Sequence, residues 1–373
     1  MTATRDLTSE ESAELRRLGA SSVTMDELAA IRSRRGGDAA LEVGRIIRVE
    51  RDRAQLATAT GHPMARFGAC GVPAVGDWAT ARRLGEGTVV LDALLPRSSA
   101  IVRRAPGSRG EPQALATNVD TILNVVAADR DIQISRLERF LAMSWESGAT
   151  PAVVLTKTDV TPVGVLDEAV RQIAGIAYGV PVLAVSGLTG EGLDGLTSDL
   201  LGDGRTLAVL GASGAGKTTL VNALLGGGTL RTSAVRENDG KGRHTTTWRE
   251  LVTLPGGGAV IDTPGLRALS VWLSADAMDA TFTDVTELAQ DCRFSDCGHG
   301  NEPGCAVLAA VESGALQSRR LDSYRQLLRE NDYLERRGNP RLEQEYFMRS
   351  HSLYKEGRAR AAAKGKPVPR RGF

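Results

Sequence analysis

The sequence predicts a multidomain chain of mixed β and α/β class. It comprises an N-terminal OB-fold barrel, a parallel-sheet P-loop domain with its motifs in circularly permuted order, and a small Cys/His-rich helical domain at the C-terminal end. Three observations predict this. Short β-leaning runs fill 41–106, apolar strands then alternate with helical periods to about 275, and a dense Cys/His cluster follows at 292–305. A chain of 373 residues has room for two or three such domains.

Residues 1–40 read as a mobile or weakly helical extension that ends in the turn-prone "RSRRGGD". No function is assigned to them. From 41 to 106 the runs "LEVGRIIRVE", "AQLATAT", "GDWATARR", "GTVVLDALL" and "SAIVRRA" are separated by turns, a pattern that suits a small closed barrel of the OB type. Such a barrel can be a packing module or an RNA-binding one. Arg97, Arg103 and Arg104 at its far end supply charge that a phosphate backbone would need. "GSRGEPQALATN" (107–118) reads as a linker into the next domain.

In 107–275 the apolar runs "VDTILNVVAA", "TPAVVLTKTD", "VPVLAVSG", "RTLAVLGASG" and "GGAVIDTPG" read as buried parallel strands. "ISRLERFLAMSWESG" and "DEAVRQIAGIAYG" carry helical spacing between them. The stretch "GASGAGKTTL" fits the phosphate-loop pattern G-x-x-x-x-G-K-[ST], with Gly211, Ser213, Gly214, Ala215, Gly216, Lys217, Thr218 and Thr219 around the phosphates. Backbone N–H groups there point at the phosphates, Lys217 reaches the β and γ oxygens and the Thr218 hydroxyl meets Mg²⁺. The loop alone suits an ATPase as well as a GTPase.

Two further elements choose between them. "VIDTPGL" ends a strand in Asp262, placed to accept from the Mg²⁺ shell, with Gly265 free to approach the γ-phosphate; an LSGGQ-like transporter signature is absent. "LTKTD" offers Lys157 to pack on a base and Asp159 to accept from the N1–H and N2 amine of guanine, with Thr156 where Asn is usual. Adenine has no donors at those positions, so an unpaired Asp159 would cost about 1–3 kcal/mol. Alone, "TKTD" is a polar loop. Its place after an apolar strand, with Ser186 and Gly187 of "SGLTGEG" after the next, makes the pair a guanine site, Gly187 standing where Ala is usual.

The base loops (156–159, 186–187) precede the phosphate loop (211–218), the Thr-rich loop (245–247) and Asp262 to Gly265. That order is a circular permutation of a Ras-like domain, which is feasible because domain termini tend to lie close together.

Farther on, Cys292, Cys297, His299 and Cys305 supply three thiolates and an imidazole, a full tetrahedral set for one structural Zn²⁺ in a segment too loop-rich to have its own core. "LDSYRQLLRENDYLERR" then reads as a charged amphipathic helix, and "KEGRARAAAKGKPVPRRGF" as a basic tail that could lie along RNA. Residues 276–373 form the third unit. Across the whole chain Lys plus Arg (46) balances Asp plus Glu (45), so average charge implies neither a nucleic-acid nor a membrane-surface partner. With no signal-peptide pattern and no long apolar run, a soluble cytoplasmic protein is expected.

A small barrel, a permuted P-loop domain, "GRHTTT" (242–247) before "DTPG", and "CRFSDCGHGNEPGC" (292–305) together resemble the bacterial RsgA family of small ribosomal subunit biogenesis GTPases, over about 41–330. The resemblance implies GTP hydrolysis to GDP coupled to late 30S maturation. It further implies contacts to 16S rRNA through the barrel and C-terminal region, low intrinsic turnover raised by the ribosome, and a monomer with no membrane partner. The residues agree on slow turnover: Leu266 follows "DTPG" where Ras-like enzymes carry the water-orienting glutamine, and leucine cannot hydrogen-bond water. His244 is the nearest candidate to position that water beside Lys217, and Thr246, or a neighbour among Thr245 and Thr247, completes the Mg²⁺ shell with Thr218 and Asp262. The rival reading is an RNA-binding module in which GTP is a sensed ligand with little turnover.

Overall fold

The barrel is closed by strand pairing alone. In the computed structural model, which describes residues 7–34, 41–84, 87–103, 113–226, 250–262 and 273–338, β1 (Leu41–Val49) pairs antiparallel with both β2 (Arg53–Thr58) and β4 (Trp78–Arg83). β2 pairs with β3 (Met64–Arg66), β3 runs parallel to β5 (Val89–Leu94), and β5 returns to β4, giving a ring of five strands. A bulge between Ile46 and Arg48 in β1 supplies the curvature that closure needs. Ile46, Ala54, Leu56, Ala65, Ala79, Ala81, Val89 and Leu91 fill the interior.

The ring corrects two sequence expectations. Its third member is the three-residue β3, too short to register as a periodic run. "SAIVRRA" instead forms β6 (Ala100–Arg103), which leaves the barrel and pairs with β7 (Gln113–Thr117), so half of the expected linker is a strand. Arg97 is corrected too: its guanidinium binds the wholly buried Asp77 at 2.8 Å from both Nε and Nη2, so it anchors the barrel base and is not offered to a phosphate. Arg103 is exposed, and Arg104 lies outside the described residues.

Neither described helix of the N-terminal extension is loose. α1 (Ser9–Arg17) opens with a reciprocal capping box between Thr8 and Glu11, and α2 (Ser22–Arg34) folds back on it through the Arg32–Glu11 pair at 2.6 Å. Leu15, Leu18 and Leu28 are buried in the same apolar cluster as Val43, Trp78 and Ile261. That burial explains why the segment orders despite its polar composition. Arg45 of β1, wholly buried, donates to the carbonyls of Leu18, Gly76 and Asn118 and to the Thr206 hydroxyl, with its guanidinium 4.8 Å from the Trp78 ring. One side chain thereby joins the N-terminal helices, the barrel and the next domain.

That next domain is a sheet in the order β10 (Val182–Ala184), β9 (Thr150–Thr156), β8 (Thr121–Ala127), β11 (Thr206–Gly211), β13 (Ala259–Asp262), β12 (Glu250–Thr253). All pairs are parallel except β12 with β13. The parallel strands are apolar on both faces because helices cover them: Leu137 and Leu141 of α3 (Ile134–Glu146) and Ile173 of α4 (Val163–Ala174) on one cluster, Leu196 and Leu200 of α5 (Leu193–Leu201) and Leu220 and Leu224 of α6 (Lys217–Leu224) on another. β12 was not anticipated from the sequence. It also pairs with β1, Arg48 opposite Glu250, so barrel and domain share one continuous sheet.

The C-terminal unit packs short helices α7 (Ala275–Thr281), α8 (Thr283–Ala289) and α9 (Ala306–Glu312) against the long α10 (Ser318–Gly338) around Phe282, Val285, Val307 and Leu321.

Candidate functional site

The carboxyl ends of β8, β9, β10, β11 and β13 converge on one rim of the sheet, where parallel α/β sheets bind ligands. β11 ends at Gly211, and the loop 212–216 turns into α6 through Gly216, whose φ of +85° is open to glycine. A side chain there would also meet the Thr156 hydroxyl at 3.1 Å. Ser213, Gly214, Thr218 and Thr219 are exposed along the loop and Ala215 is buried beneath it. The Lys217 ammonium donates to the carbonyls of Gly211 (2.9 Å) and Ala212 (2.7 Å), folding back over the loop that would receive phosphates.

Asp262 ends β13, next to β11 in the sheet. Burial holds its carboxyl above the ordinary aspartate range, partly opposed by the Lys217 charge. A hydroxyl at Thr218 and this carboxylate are hard oxygen donors of the kind Mg²⁺ prefers. Gly265, His244, Thr246 and its neighbours Thr245 and Thr247, and Leu266 lie outside the described residues.

The base loop is tied directly to the phosphate loop. At the end of β9 the buried Thr156 donates through Oγ1 to the Ala215 carbonyl at 2.6 Å, so threonine still makes a bond from the base loop to the phosphate loop. Lys157 follows in the left-handed region at φ +65°, one of three non-glycine residues so placed among the described residues. Such backbone costs about 1–3 kcal/mol and persists only where surroundings enforce it. Asp159 is exposed, and its Oδ1 accepts from the Ser186 hydroxyl at 2.7 Å. Ser186 in turn accepts from the amides of Leu188 and Thr189, fixing the second base loop after β10. Gly187 is explained by packing: a Cβ there would stand 3.1 Å from the backbone at Thr219 and Leu220, where α6 passes close by.

Two residues at this rim escaped the sequence reading. Asp129 and Arg130 follow β8, where Asp129 accepts from Lys157 at 2.7 Å and Arg130 donates to the Gly214 carbonyl at 3.0 Å. The signal available was position, since "AADRD" follows an apolar parallel strand and so falls at its carboxyl end.

A second site lies in the C-terminal unit. The ligand atoms of Cys292, Cys297, His299 and Cys305 all fall within 4.8 Å of one another. Cys292 and Cys305 sulfurs are 3.8 Å apart, and each lies 3.5–3.7 Å from His299 Nδ1. A tetrahedron with Zn–S of about 2.3 Å has edges of about 3.8 Å, so the spacing fits zinc. Burial works to raise the Cys292 thiol pKa, but the amides of Val307 and Ala306 at the start of α9, with the neighbouring Cys305 and Cys297 thiols, together hold the group below the usual thiol value. Burial also keeps the His299 pKa low, favouring the neutral imidazole that binds metal. The backbone of His299 is left-handed at φ +55°, turning the ring into the cluster.

No described helix is long and apolar enough to cross a membrane. Residues 94–272 match the family model described as RsgA GTPase. A small ribosomal subunit biogenesis GTPase RsgA of Streptomyces avermitilis is 46% identical over 336 residues, covering 87% of this chain and 89% of that protein. A relative of the same description from Lactiplantibacillus plantarum, RsgA 2, is 41% identical over 300 residues, covering 78% and 84%. Among solved structures, YjeQ from Thermotoga maritima aligns at a TM-score of 0.57 with 24% identity, over 78% of this chain and 98% of that one. YloQ, described as a circularly permuted GTPase, aligns at 0.56 with 22% identity, over 78% and 95%. These two likenesses show the fold, which YloQ's description gives as circularly permuted.

Proposed function

This chain belongs to the RsgA GTPase family, and from that premise we propose that it hydrolyses GTP to GDP and phosphate during late maturation of the 30S ribosomal subunit. The observation that carries the guanine assignment is the pair of bonds joining three loops on one rim, Thr156 to Ala215 and Ser186 to Asp159. They hold a base-reading carboxylate at a fixed remove from the phosphate loop.

In this reading Asp159 accepts from the guanine N1–H and N2 amine while the Lys157 stem lies on the ring. Lys217 leaves its carbonyl partners for the β and γ oxygens, and the amides of 213–218 take the remaining phosphate oxygens. Thr218 and Asp262, with Thr246, would hold Mg²⁺, which neutralises charge developing on the phosphates when bound. His244 orients the attacking water, a task Leu266 cannot perform. With Leu266 in the place of a water-orienting glutamine, intrinsic hydrolysis is slow and the ribosome raises it. Cys292, Cys297, His299 and Cys305 hold one structural zinc, with no open position for chemistry there. The barrel, whose five strands run from 41 to 94, and the C-terminal region, 276–373, contact 16S rRNA on either side of the GTPase domain, and the chain works in the cytoplasm as a monomer.

Steady-state GTP hydrolysis by the purified protein, with ATP as control and with and without 30S subunits, tests the proposal. Stimulation specific to GTP and to 30S is expected. GTP binding with no turnover under either condition would favour the rival, an RNA-binding module that senses GTP.

A further inference from the structure

We infer that Asp129 and Arg130 are positioning residues for nucleotide retention: Asp129 holds the base-stacking Lys157 while Arg130 clamps the phosphate loop at Gly214. The inference rests on the guanine-site reading above and adds a third support to it, carried by β8, a strand neither base loop nor phosphate loop belongs to.

The geometry forms one ionic chain. Lys157 Nζ donates to Asp129 Oδ2 at 2.7 Å, Arg130 Nε donates to Asp129 Oδ1 at 3.2 Å, and Arg130 Nη2 donates to the Gly214 carbonyl at 3.0 Å. Both oxygens of one carboxylate are thus used, one for each cation. Among the described residues Asp129 is the carboxylate within ion-pair distance of either. The Lys157 hydrogen bond, chief among the causes, holds the Asp129 carboxyl below its usual range, so it stays ionised throughout the neutral region.

Lys157 needs such a partner. Its left-handed backbone is strained, and its stem must lie flat to cover a base. Tethering the ammonium to the end of β8 sets the direction of the stem before nucleotide arrives, so less conformational freedom is lost on binding. Arg130 is half exposed and sits over Gly214, where an added Cβ would stand 3.5 Å from its Nη2. Its guanidinium limits how far the loop can lift from β8. Asp129 therefore couples the base end of the site to its phosphate end, and release of nucleotide requires both ends to let go.

Dissociation of a fluorescent GDP analogue, chased with unlabelled GDP, tests this on the full-length protein. Asp129→Asn and Arg130→Gln should each speed release about two- to fivefold, the range for partly exposed ion pairs. The double variant should release faster than either single variant but by less than the product of the two effects, because Asp129→Asn already loosens Arg130 while its bond to Gly214 remains. Asp129→Glu should recover slow release, which a merely structural role for the loop would not predict. Raising KCl should speed release from the unmodified protein and leave Asp129→Asn nearly indifferent. Unchanged release in Asp129→Asn, or multiplying effects in the double variant, would overturn the inference. Asp159→Asn serves as the control arm: if it weakens GDP binding while Asp129→Asn does nothing, the pair fails and the guanine site stands, whereas GDP affinity indifferent to Asp159→Asn removes the guanine site itself.

Discussion

Arg320 joins the C-terminal unit to the GTPase domain, and replacing it with methionine should separate them. The guanidinium, 2% exposed, donates to Glu138 Oε1 at 2.8 Å, to both oxygens of Asp284 through Nε and to the Thr281 carbonyl at 2.7 Å. It also lies 4.4 Å from the Phe282 ring centre. Desolvation alone would lower its pKa, yet the Asp284 and Glu138 carboxylates more than offset that. Glu138 is on α3 and wholly buried, and its Oε2 has no hydrogen-bond partner among the described residues. Arg320→Met preserves much of the volume but leaves that carboxylate, among the described residues, with the half-exposed Arg319 at 3.3 Å as its one cation. Stranding a buried charge costs about 3–5 kcal/mol, most of it desolvation. If so, Glu138→Leu in the Arg320→Met background should recover most of the loss, since an apolar pair removes the stranded charge. Urea unfolding followed by tryptophan fluorescence, to which Trp145 of α3 contributes, reads both variants. A loss under about 1 kcal/mol, or no recovery in the double variant, would refute the reasoning.

Other expected outcomes follow from the same geometry. Asp159→Asn removes at least one charge-assisted bond to guanine, so GDP should bind about ten- to a hundredfold more weakly and xanthine nucleotides be gained, as calorimetric titration of GDP and XDP would record. Stripping metal with a strong chelator should cost helicity in 273–338 while nucleotide binding persists, because the Cys/His cluster and the phosphate rim have separate cores; loss of both together would argue against that separation. Glu11 has its pKa lowered chiefly by the hydrogen bond from Arg32, so its folded value lies below its unfolded one. The stabilisation is therefore full above the unfolded glutamate value and lost as pH falls through the folded one. Acid should loosen α1 and α2 first, seen as early amide exchange, and Glu11→Gln should show that exchange already at neutral pH.

How much was legible in the sequence depended on whether the signal was local. The phosphate loop, Asp159 and the Cys/His set are spacings of chemically distinctive residues, and the sequence names each at the position where the structure brings them together. Alternation of apolar runs with helical periods likewise located α3, α4 and the parallel strands. β3 and β12 were invisible for a physical reason: three or four residues show no period, and their strand state comes from neighbours far along the chain. β6 reads as a barrel strand because its pattern is that of any half-buried strand; only the partner, β7, decides otherwise. Arg97 looks like an RNA contact until Asp77 is seen beneath it. Asp129 carries no motif, and its meaning comes from which strand ends beside it.

The permuted order has a mechanical consequence. In the sheet, β13 lies beside β11, the strand of the phosphate loop, and β12 lies beyond β13; the two are joined by a short reversal at 254–258, and each leads out of the GTPase domain. β12 follows the segment that carries His244 and Thr246, and its Glu250 pairs with Arg48 of the barrel. β13 ends at Asp262, and the next described helix in the chain is α7, whose capping residue Ser274 donates its amide to Glu146 of α3. The two stretches expected to sense the γ-phosphate are therefore each one step, by hydrogen bond or by covalent chain, from an appended domain. A Ras-like order would interpose the base-recognition half of the domain between Asp262 and any C-terminal unit. Permutation removes that half from the path, so a nucleotide-dependent shift at Asp262 is expected to pass to the Cys/His-bearing unit that follows it in the chain, with the Arg320–Glu138 junction as the fixed point. Fluorescent labels on α10 and on the barrel should accordingly change separation between GDP and a non-hydrolysable GTP analogue, and Asp262→Asn should abolish the change while leaving GDP bound.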